Sequence, residues 1–453
     1  MAPVKTMGKA LSINLFSLKT PQMRVFHLTW LAFFLCFFGW FGIAPLMTYV
    51  RAEMGLTKAQ IGNTIIASVA ITIVARLFIG WLCDKIGPRI AYSGLLVLGS
   101  VPVMTIGLAS SYESFLLFRL AIGVIGASFV ITQYHTSSMF APNVVGTANA
   151  TTAGWGNLGG GVTQMVMPLV FAIFAAVGVS ELLSWRFAMV VPGVALFLMG
   201  FAYYFWTQDT PEGNYADLKK ENPEFHAEKK NTLKNFFSAA SDYRVWALFL
   251  IYGACFGVEL TINNVAALYY ADNFKLEPRT AGLIAGLFGL MNLFARTLGG
   301  VFGDKFGNKF GLRGRVMFMG VVLLLEGAFL ILFSRMDLLV LAVSSMILFS
   351  LFVQMAEGAT YSVVPFINKK AVGAVAGIVG AGGNAGAVAA GFLFRGSFGY
   401  ADALMILGCA VMGVSVLALA VRFSHADEKA VLREMKELKA AHQNGTVAQE
   451  GAA

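Results

Sequence analysis

A series of apolar segments, each about 20 residues long, recurs along almost the whole sequence and constrains the fold more than any other feature. A helix of this length spans the hydrocarbon core of a bilayer, whereas a membrane β-strand needs only about 10 residues. The composition agrees, because 13% of the residues are charged and soluble domains carry about 25%. The sequence therefore predicts an all-α integral membrane protein.

We predict twelve transmembrane helices in two six-helix halves. The predicted spans lie at about 27–50, 60–82, 91–109, 114–140, 145–178, 187–206, 245–271, 279–302, 315–334, 338–364, 372–394 and 401–423. The chain then divides into a cytoplasmic N-terminus (1–26), an N-terminal half (27–206), a cytoplasmic linker (207–244), a C-terminal half (245–423) and a cytoplasmic tail (424–453).

The basic residues predict the orientation. Of the 33 Lys and Arg residues, 23 fall on one side of the predicted spans, 7 fall on the other, and Arg76, Arg119 and Arg296 fall within spans. The side with more basic residues is the cytoplasmic one, so we expect both termini there. The net charge of +9 follows from this topology and does not indicate nucleic-acid binding. The N-terminus shows no signal-peptide pattern, and the four cysteines show no disulfide or metal spacing.

The two halves repeat one another. The pattern Arg76-x3-Gly80-x3-Asp84-Lys85-x-Gly87 recurs 220 residues later as Arg296-x3-Gly300-x3-Asp304-Lys305-x-Gly307. The pair Gly156-Asn157 recurs as Gly383-Asn384. Two parallel repeats of this kind place a solute site at their interface, near the middle of the membrane.

Two glycine-rich stretches, at 153–161 and 380–386, lie inside predicted spans. Each glycine weakens a soluble helix by about 1 kcal/mol relative to alanine, but in a membrane it lets helix backbones approach closely. We expect the two glycine faces to lie opposite each other and form walls of a site for a small polar solute. The residues assigned to these walls are Gly154, Gly156, Gly382 and Gly383. Asn157 and Asn384 are predicted amide donors to the solute, or alternatively interhelical hydrogen-bonding groups.

Arg76 and Arg296 are the strongest binding candidates. Each lies near the middle of an apolar run, where an arginine costs at least about 2.5–3.5 kcal/mol. A guanidinium group is a planar fork of donors that suits oxyanions, so we expect the two groups to hold an anion between them. The alternative is that each arginine forms a structural ion pair with a carboxylate in the membrane.

Other charged residues have different predicted roles. Glu259 and Glu357 are candidates for proton coupling, because a carboxyl group in a dry interior can take up a proton; the alternative is a salt bridge or a helix-end hydrogen bond. Asp84 and Asp304, at cytoplasmic helix ends, are predicted gating residues. Arg119, His135 and Glu326 are interpreted as structural, with Glu326 on a span that we expect to pack at the periphery.

The loop motif at residues 80–89 (GWLCDKIGPR) resembles that of the major facilitator superfamily. Together with the two glycine stretches, residues 25–425 resemble the nitrate/nitrite porter family. Gly257-Val-Glu-Leu260 and Glu357-Gly-Ala-Thr-Tyr361 are most similar to its proton-coupled branch, which includes plant high-affinity transporters. The short linker and short tail favour a bacterial member in the inner membrane.

This resemblance implies a major facilitator fold and a transport function. It assigns Arg76 and Arg296 to the substrate, nitrate and possibly nitrite, and places Phe129, Tyr252 and Phe256 around the pocket. Nitrate is a planar monoanion with three acceptor oxygens, which flat rings above and below would select by shape. The expected partners are this anion, protons and the lipid bilayer. No cofactor or metal is expected, and the functional unit is predicted to be a monomer.

The glutamates inside the predicted spans favour H⁺/nitrate symport by alternating access. Moving one nitrate inward against a potential of 100 mV costs about 2.3 kcal/mol, so accumulation needs at least two protons per nitrate or exchange for another anion. The alternatives are a nitrate/nitrite antiporter, a transporter of another small anion, and a membrane sensor that does not transport. An enzyme is not expected, because the soluble segments show no nucleophile-base arrangement, phosphate loop or metal cluster.

Overall fold

The structure is a computed structural model that describes residues 8–140, 144–221, 232–368 and 372–429. Twelve helices in these ranges are long and apolar enough to cross a membrane. In chain order they are α1 (Pro21–Met54), α2 (Lys58–Cys83), α3 (Pro88–Leu108), α4 (Tyr112–Met139), α5 (Thr147–Ala176), α6 (Glu181–Trp206), α7 (Tyr243–Phe274), α8 (Pro278–Gly307), α9 (Lys309–Ser334), α10 (Leu339–Phe366), α11 (Ala374–Arg395) and α12 (Tyr400–Ala420). The predicted all-α fold with twelve spans is therefore confirmed.

Side-chain caps fix the starts of several helices. Thr20 accepts a hydrogen bond from the Met23 N–H at the start of α1, and Thr57 forms a capping box with Gln60 at the start of α2. Ser111 forms a capping box with Ser114 at the start of α4. Such caps satisfy N–H groups that have no partner within the helix, while the rest of each helix pairs its own backbone groups, as a bilayer requires.

Glycines determine how helices pack within each half. On α5, a Cβ atom at Gly159 would lie 2.1 Å from the carbonyl oxygen of Phe34 on α1. On α11, a Cβ atom at Gly386 would lie 2.1 Å from the carbonyl oxygen of Gly253 on α7. Real Cβ atoms do not approach this closely, so these helix pairs require glycine. The fifth helix of each half thus packs against the first helix in the same way.

The two halves meet along two helix pairs. Where α5 meets α8, a Cβ atom at Gly161 would lie 2.6 Å from the Cα atom of Gly289. Where α2 meets α11, a Cβ atom at Gly391 would lie 3.9 Å from the Cβ atom of Ile66. We call the end of the bundle opposite the chain termini the far end; there, Arg51 of α1 forms a two-pronged ion pair with Asp272 of α7, with N–O distances of 2.9 and 2.8 Å.

The linker between the halves carries two short helices, Tyr215–Glu221 and Thr232–Ala240. Before them, Asp209 accepts hydrogen bonds from the N–H groups of Arg89 (2.8 Å) and Tyr215 (3.0 Å), and so caps the start of α3. Burial raises the pKa of Asp209 in spite of these donors. The predicted tail lies outside the described residues from position 430 onward.

Candidate functional site

Arg76 lies on α2 near the middle of the bundle and is 6% exposed. Its Nη1 donates to the carbonyl oxygen of Gly380 on α11 at 2.9 Å, which joins the two halves. Its Nε and Nη2 atoms are buried without a hydrogen-bond partner. No ion pair to Arg76 is found in the described part of the chain, so Arg76 is a buried cation with unused donors.

Arg296, the equivalent residue on α8, has a different environment. It is 3% exposed and forms an ion pair with Glu357 of α10, which is 0% exposed. Its Nη2 donates to the hydroxyl of Tyr252 at 2.9 Å. Tyr252 in turn stacks on Phe256, whose ring Arg76 contacts, so both arginines border one aromatic cluster. The structural ion pair considered as an alternative is therefore present at Arg296, and it is absent at Arg76 among the described residues.

Four aromatic rings cluster beside Arg76. The guanidinium carbon of Arg76 lies 5.2 Å from the ring centre of Phe129 and 5.8 Å from that of Phe256. Tyr252 stacks on Phe256, with centroids 5.2 Å apart and ring planes at 15°. Tyr361 contacts the rings of Tyr252 and Phe129 edge-on, at 5.0 and 6.2 Å. The structure thus brings the three predicted aromatic residues together.

Glu259 is hydrogen-bonded to one amide group from each half. It lies on α7, is 0% exposed, and accepts hydrogen bonds from Asn157 of α5 (3.1 Å) and Asn292 of α8 (2.7 Å). The two predicted proton-coupling acids are therefore both bound by residues of α8, Glu259 by Asn292 and Glu357 by Arg296.

A sequence profile described as Major Facilitator Superfamily matches residues 29–263 and 248–445. "High affinity nitrate transporter 2.5" of Arabidopsis thaliana is 41% identical over 418 residues, covering 92% of this chain and 82% of that protein. "Nitrate/nitrite transporter NrtP" of a Picosynechococcus strain is 31% identical, covering 81% and 84%. This chain belongs to the nitrate/nitrite transporter family of the major facilitator superfamily.

The fold agrees with that assignment. The xylose transporter XylE from E. coli, solved in a partially occluded inward-open conformation, superposes with a TM-score of 0.67 at 12% identity, over 89% of this chain and 98% of that one. The protein is accordingly a multi-pass membrane transporter of two six-helix halves and not an enzyme.

The predicted wall glycines of the transporter have unequal surroundings. A Cβ atom at Gly154 would lie 3.7 Å from the Cβ atom of Arg296, so this glycine borders the site. A Cβ atom at Gly156 would lie less than 3 Å from the Phe33 ring, and one at Gly383 would lie less than 3 Å from the Phe256 ring. Gly382 faces the Phe249 backbone. Direct contact of these glycines with substrate stays a prediction.

The two predicted amide donors also differ. Asn157 uses its N–H group for Glu259 and keeps its Oδ1 atom unpartnered. Asn384 is 0% exposed, and neither of its amide atoms has a partner. Asn384 thus remains available to a bound ion, while the donor of Asn157 is already occupied.

Of the two predicted gating residues of the transporter, one can be placed. Asp304, which is 62% exposed, forms an ion pair with the buried Arg315, within the C-terminal half. In this conformation it does not connect the halves. The side chain of Asp84 lies outside the described part of the structure.

The residues interpreted as structural have three different outcomes. His135 is buried with both ring nitrogens hydrogen-bonded, at 2.6 Å to Tyr203 and 2.7 Å to the Gln208 carbonyl, which confirms the interpretation. Arg119 bonds the Trp40 carbonyl and the Asn264 side chain, both at 3.1 Å. Glu326 is 0% exposed, while its helix α9 exposes apolar side chains such as Met317 and Val321, as expected of a span at the periphery.

Sequence reasoning missed three residues at the site of the transporter: Tyr361, Asn292 and Gly380. A usable signal existed for two of them. Tyr361 follows Glu357 by four residues, and Asn292 precedes Arg296 by four, so each shares a helix face with a candidate residue. Gly380 contributes a main-chain oxygen, which no side-chain pattern reveals.

Proposed function

We propose that this protein carries nitrate, and secondarily nitrite, across the cytoplasmic membrane by proton symport. The observation that carries the proposal is Arg76, a buried guanidinium group with two unpartnered nitrogens and no carboxylate partner among the described residues. A buried cation in this state is costly unless an anion joins it. The names of the relatives, which are nitrate and nitrate/nitrite transporters, support nitrate as that anion.

The donors of Arg76 and the rings beside it suit a planar anion. Nitrate would accept the free Nε and Nη2 donors of Arg76 side by side, as a carboxylate does. The rings of Phe129 and Phe256, which both contact Arg76, would border the solute and exclude water. Asn384 has a free amide donor for a third oxygen.

Proton coupling follows from competition at Arg296. Glu357 occupies the guanidinium group of Arg296, where a nitrate oxygen would otherwise bind. A proton on Glu357 would remove the negative charge that holds Arg296. Protonation of Glu357 and nitrate binding would then promote each other, which is the linkage that symport requires.

Alternating access would carry the bound ion between the two sides. In the proposed cycle, the halves rock about the central site once nitrate and proton have reduced its net charge. The excess of basic residues on the side of the termini supports a cytoplasmic location for both ends.

The test is uptake of labelled nitrate into proteoliposomes. We expect accumulation with an inward proton gradient and none without it. The variant Glu357→Gln should lose gradient-driven accumulation and keep nitrate/nitrate exchange, because its neutral side chain leaves Arg296 permanently free. The exposed acid Glu277 provides the control Glu277→Gln, which should behave like the wild type. Uptake that requires internal nitrite and ignores the proton gradient would instead establish antiport.

A further inference from the structure

The loop that precedes α1, residues 11–20, has an apolar tip that the transport site does not use. We call this segment the N-terminal loop. Phe16 is fully exposed, and Leu15 and Leu18 are 41% and 61% exposed. Single exposed apolar side chains are common on proteins, but several large ones side by side are typical of an interaction site. The tip is therefore a candidate contact surface.

A tight turn holds the tip in a defined conformation. The carbonyl oxygen of Asn14 accepts a hydrogen bond from the N–H of Ser17 at 3.1 Å. The side-chain oxygen of Asn14 accepts one from the N–H of Phe16 at 3.2 Å. Asn commonly forms turns in this way, by bonding the backbone two residues later. The turn therefore fixes the backbone from which Leu15 and Phe16 project.

The N-terminal loop is also attached to the bundle on both sides of its tip. Before the loop, the N–H of Ala10 donates to the carbonyl oxygen of Met139, at the end of α4, at 3.0 Å. After the tip, Thr20 caps the start of α1. Between them, Ile13 packs against the buried cluster that contains Met23 and Met139. The tip is therefore held beside the first turns of α1.

The depth of the loop in the membrane follows from α1. Phe33 of α1 lies at the level of the central site, because its ring centre is 5.8 Å from that of Phe129, which contacts Arg76. A site between two repeated halves lies near the mid-plane of the bilayer. Pro21 precedes Phe33 by 12 residues, which is about 18 Å of helix. Since the hydrocarbon core extends about 15 Å from the mid-plane, the loop lies at the boundary between acyl chains and head groups.

The charge of this region suits an anionic surface. Residues 1–26 contain four basic residues and no acid. Lys19 directly follows the tip, Arg24 lies in the first turn of α1, and both are exposed. The carboxylate of Glu212 lies beside Gly8, before the other end of the loop. Apolar side chains next to basic ones are typical of segments that lie in the interface of anionic membranes.

We propose that the N-terminal loop is an interfacial lipid anchor. Leu15, Phe16 and Leu18 insert among the acyl chains of the leaflet on the side of the termini. Lys19 and Arg24 bind the phosphates of anionic lipid head groups. The position of the loop at the edge of the hydrocarbon core favours lipid over a soluble protein as the occupant. The inference is independent of the anion that is transported and of proton coupling.

Insertion of the tip is tested with a fluorescent label. Phe16→Cys is made with the exposed Cys409 replaced by serine, since the other three cysteines are buried. The full chain is labelled with nitrobenzoxadiazole and reconstituted into vesicles of phosphatidylcholine and phosphatidylglycerol in equal parts. We expect a blue-shifted emission that doxyl-labelled lipids quench. The same label at Ala216→Cys, an exposed position on the polar linker helix Tyr215–Glu221, is the control and should show neither effect.

Equal emission and equal quenching at the two positions would overturn the anchor. That result is also the one expected if the tip binds a soluble protein, because the label would then stay in water in vesicles without that protein. Nitrate uptake by the labelled protein, measured in the same vesicles, reports separately on the transport function.

Head-group binding is tested with the double variant Lys19→Gln/Arg24→Gln, labelled at the same tip position. The doxyl group is placed either on phosphatidylglycerol or on phosphatidylcholine. We expect the original side chains to enrich the anionic lipid around the tip by about fivefold each, so that doxyl-phosphatidylglycerol quenches more strongly, and the double variant to lose this preference. Lys219→Gln/Lys220→Gln, at exposed lysines of the linker helix, is the matched control and should keep it. An equal preference in both double variants would overturn the assignment of Lys19 and Arg24.

Discussion

At the residue scale, the two arginines at equivalent positions of the repeat have different partners. Arg296 is neutralised by Glu357 and hydrogen-bonded to Tyr252. Arg76 instead donates to one carbonyl oxygen, contacts two aromatic rings and keeps two nitrogens without a partner. In the proposed function, a site with one neutralised and one free guanidinium group would attract a single monovalent anion. The sequence repeat alone suggests two equal ligands, and the acid on α10 makes them unequal.

The first prediction concerns Arg76→Lys. A lysine retains the charge but offers a point donor in place of a fork, so it would lose a charge-assisted hydrogen bond worth about 1.5–3 kcal/mol. We expect nitrate to bind about 10- to 100-fold more weakly. Calorimetric titration of the purified variant with nitrate checks this. Arg279→Lys, at an exposed arginine, is the control, and equal dissociation constants for both variants would contradict the role of the fork.

At the element scale, spans are predictable because hydropathy is a local property of the sequence. The predicted span at 245–271 corresponds to Tyr243–Phe274, while the span predicted at 27–50 extends to Pro21–Met54. The extra turns of α1 carry polar residues such as Arg24 and Arg51, which belong to the helix but contribute nothing to an apolar pattern. Hydropathy therefore gives the number and order of the helices better than their ends.

The candidate site was only partly predictable, for a related reason. A charge inside an apolar run is itself a local signal, so Arg76, Arg296, Glu259 and Glu357 stand out. Their pairing depends on how each helix is rotated, and the partners are far apart in sequence, as with Asn157 and Glu259 at 102 residues. The burial of Glu326 was likewise not predictable, because helix order does not define which face turns inward.

A second prediction belongs to the junction of α2 and α3. Gly87 has φ 89° and ψ 153°, a region that side chains rarely adopt, and a Cβ atom there would lie 2.5 Å from the Asp209 carboxylate. Gly87→Ala should therefore cost about 1–3 kcal/mol of stability and lower the thermal unfolding midpoint in detergent. Gly94→Ala is the control, since nothing lies within 4 Å of its Cβ position. Equal midpoints for both variants would show that the junction tolerates a side chain.

At the scale of the whole molecule, two ion pairs have different energetic weights. The far-end pair of Arg51 and Asp272 is 36% and 29% exposed, and pairs of this kind contribute about 0.2–1 kcal/mol. The fully buried pair of Arg296 and Glu357 leaves an uncompensated charge costing about 3–5 kcal/mol if one partner is removed. Breaking the far-end pair therefore costs little, whereas loss of one partner of the central pair costs much more.

The last prediction tests whether the far ends of the halves must separate during transport. Ile66 of α2 and Gly391 of α11 lie on opposite halves, with Cβ positions 3.9 Å apart, within the range of about 3.5–4.5 Å that a disulfide spans. The double variant Ile66→Cys/Gly391→Cys, with the exposed Cys409 replaced by serine, should form this bond on oxidation. Because the bond would hold the far end closed, nitrate uptake should fall to the level of protein-free liposomes and return on reduction. Each single cysteine variant, oxidised in the same way, should transport normally. If the oxidised double variant is fully cross-linked and still transports, the halves do not separate at this end, and the rocking motion proposed here is wrong.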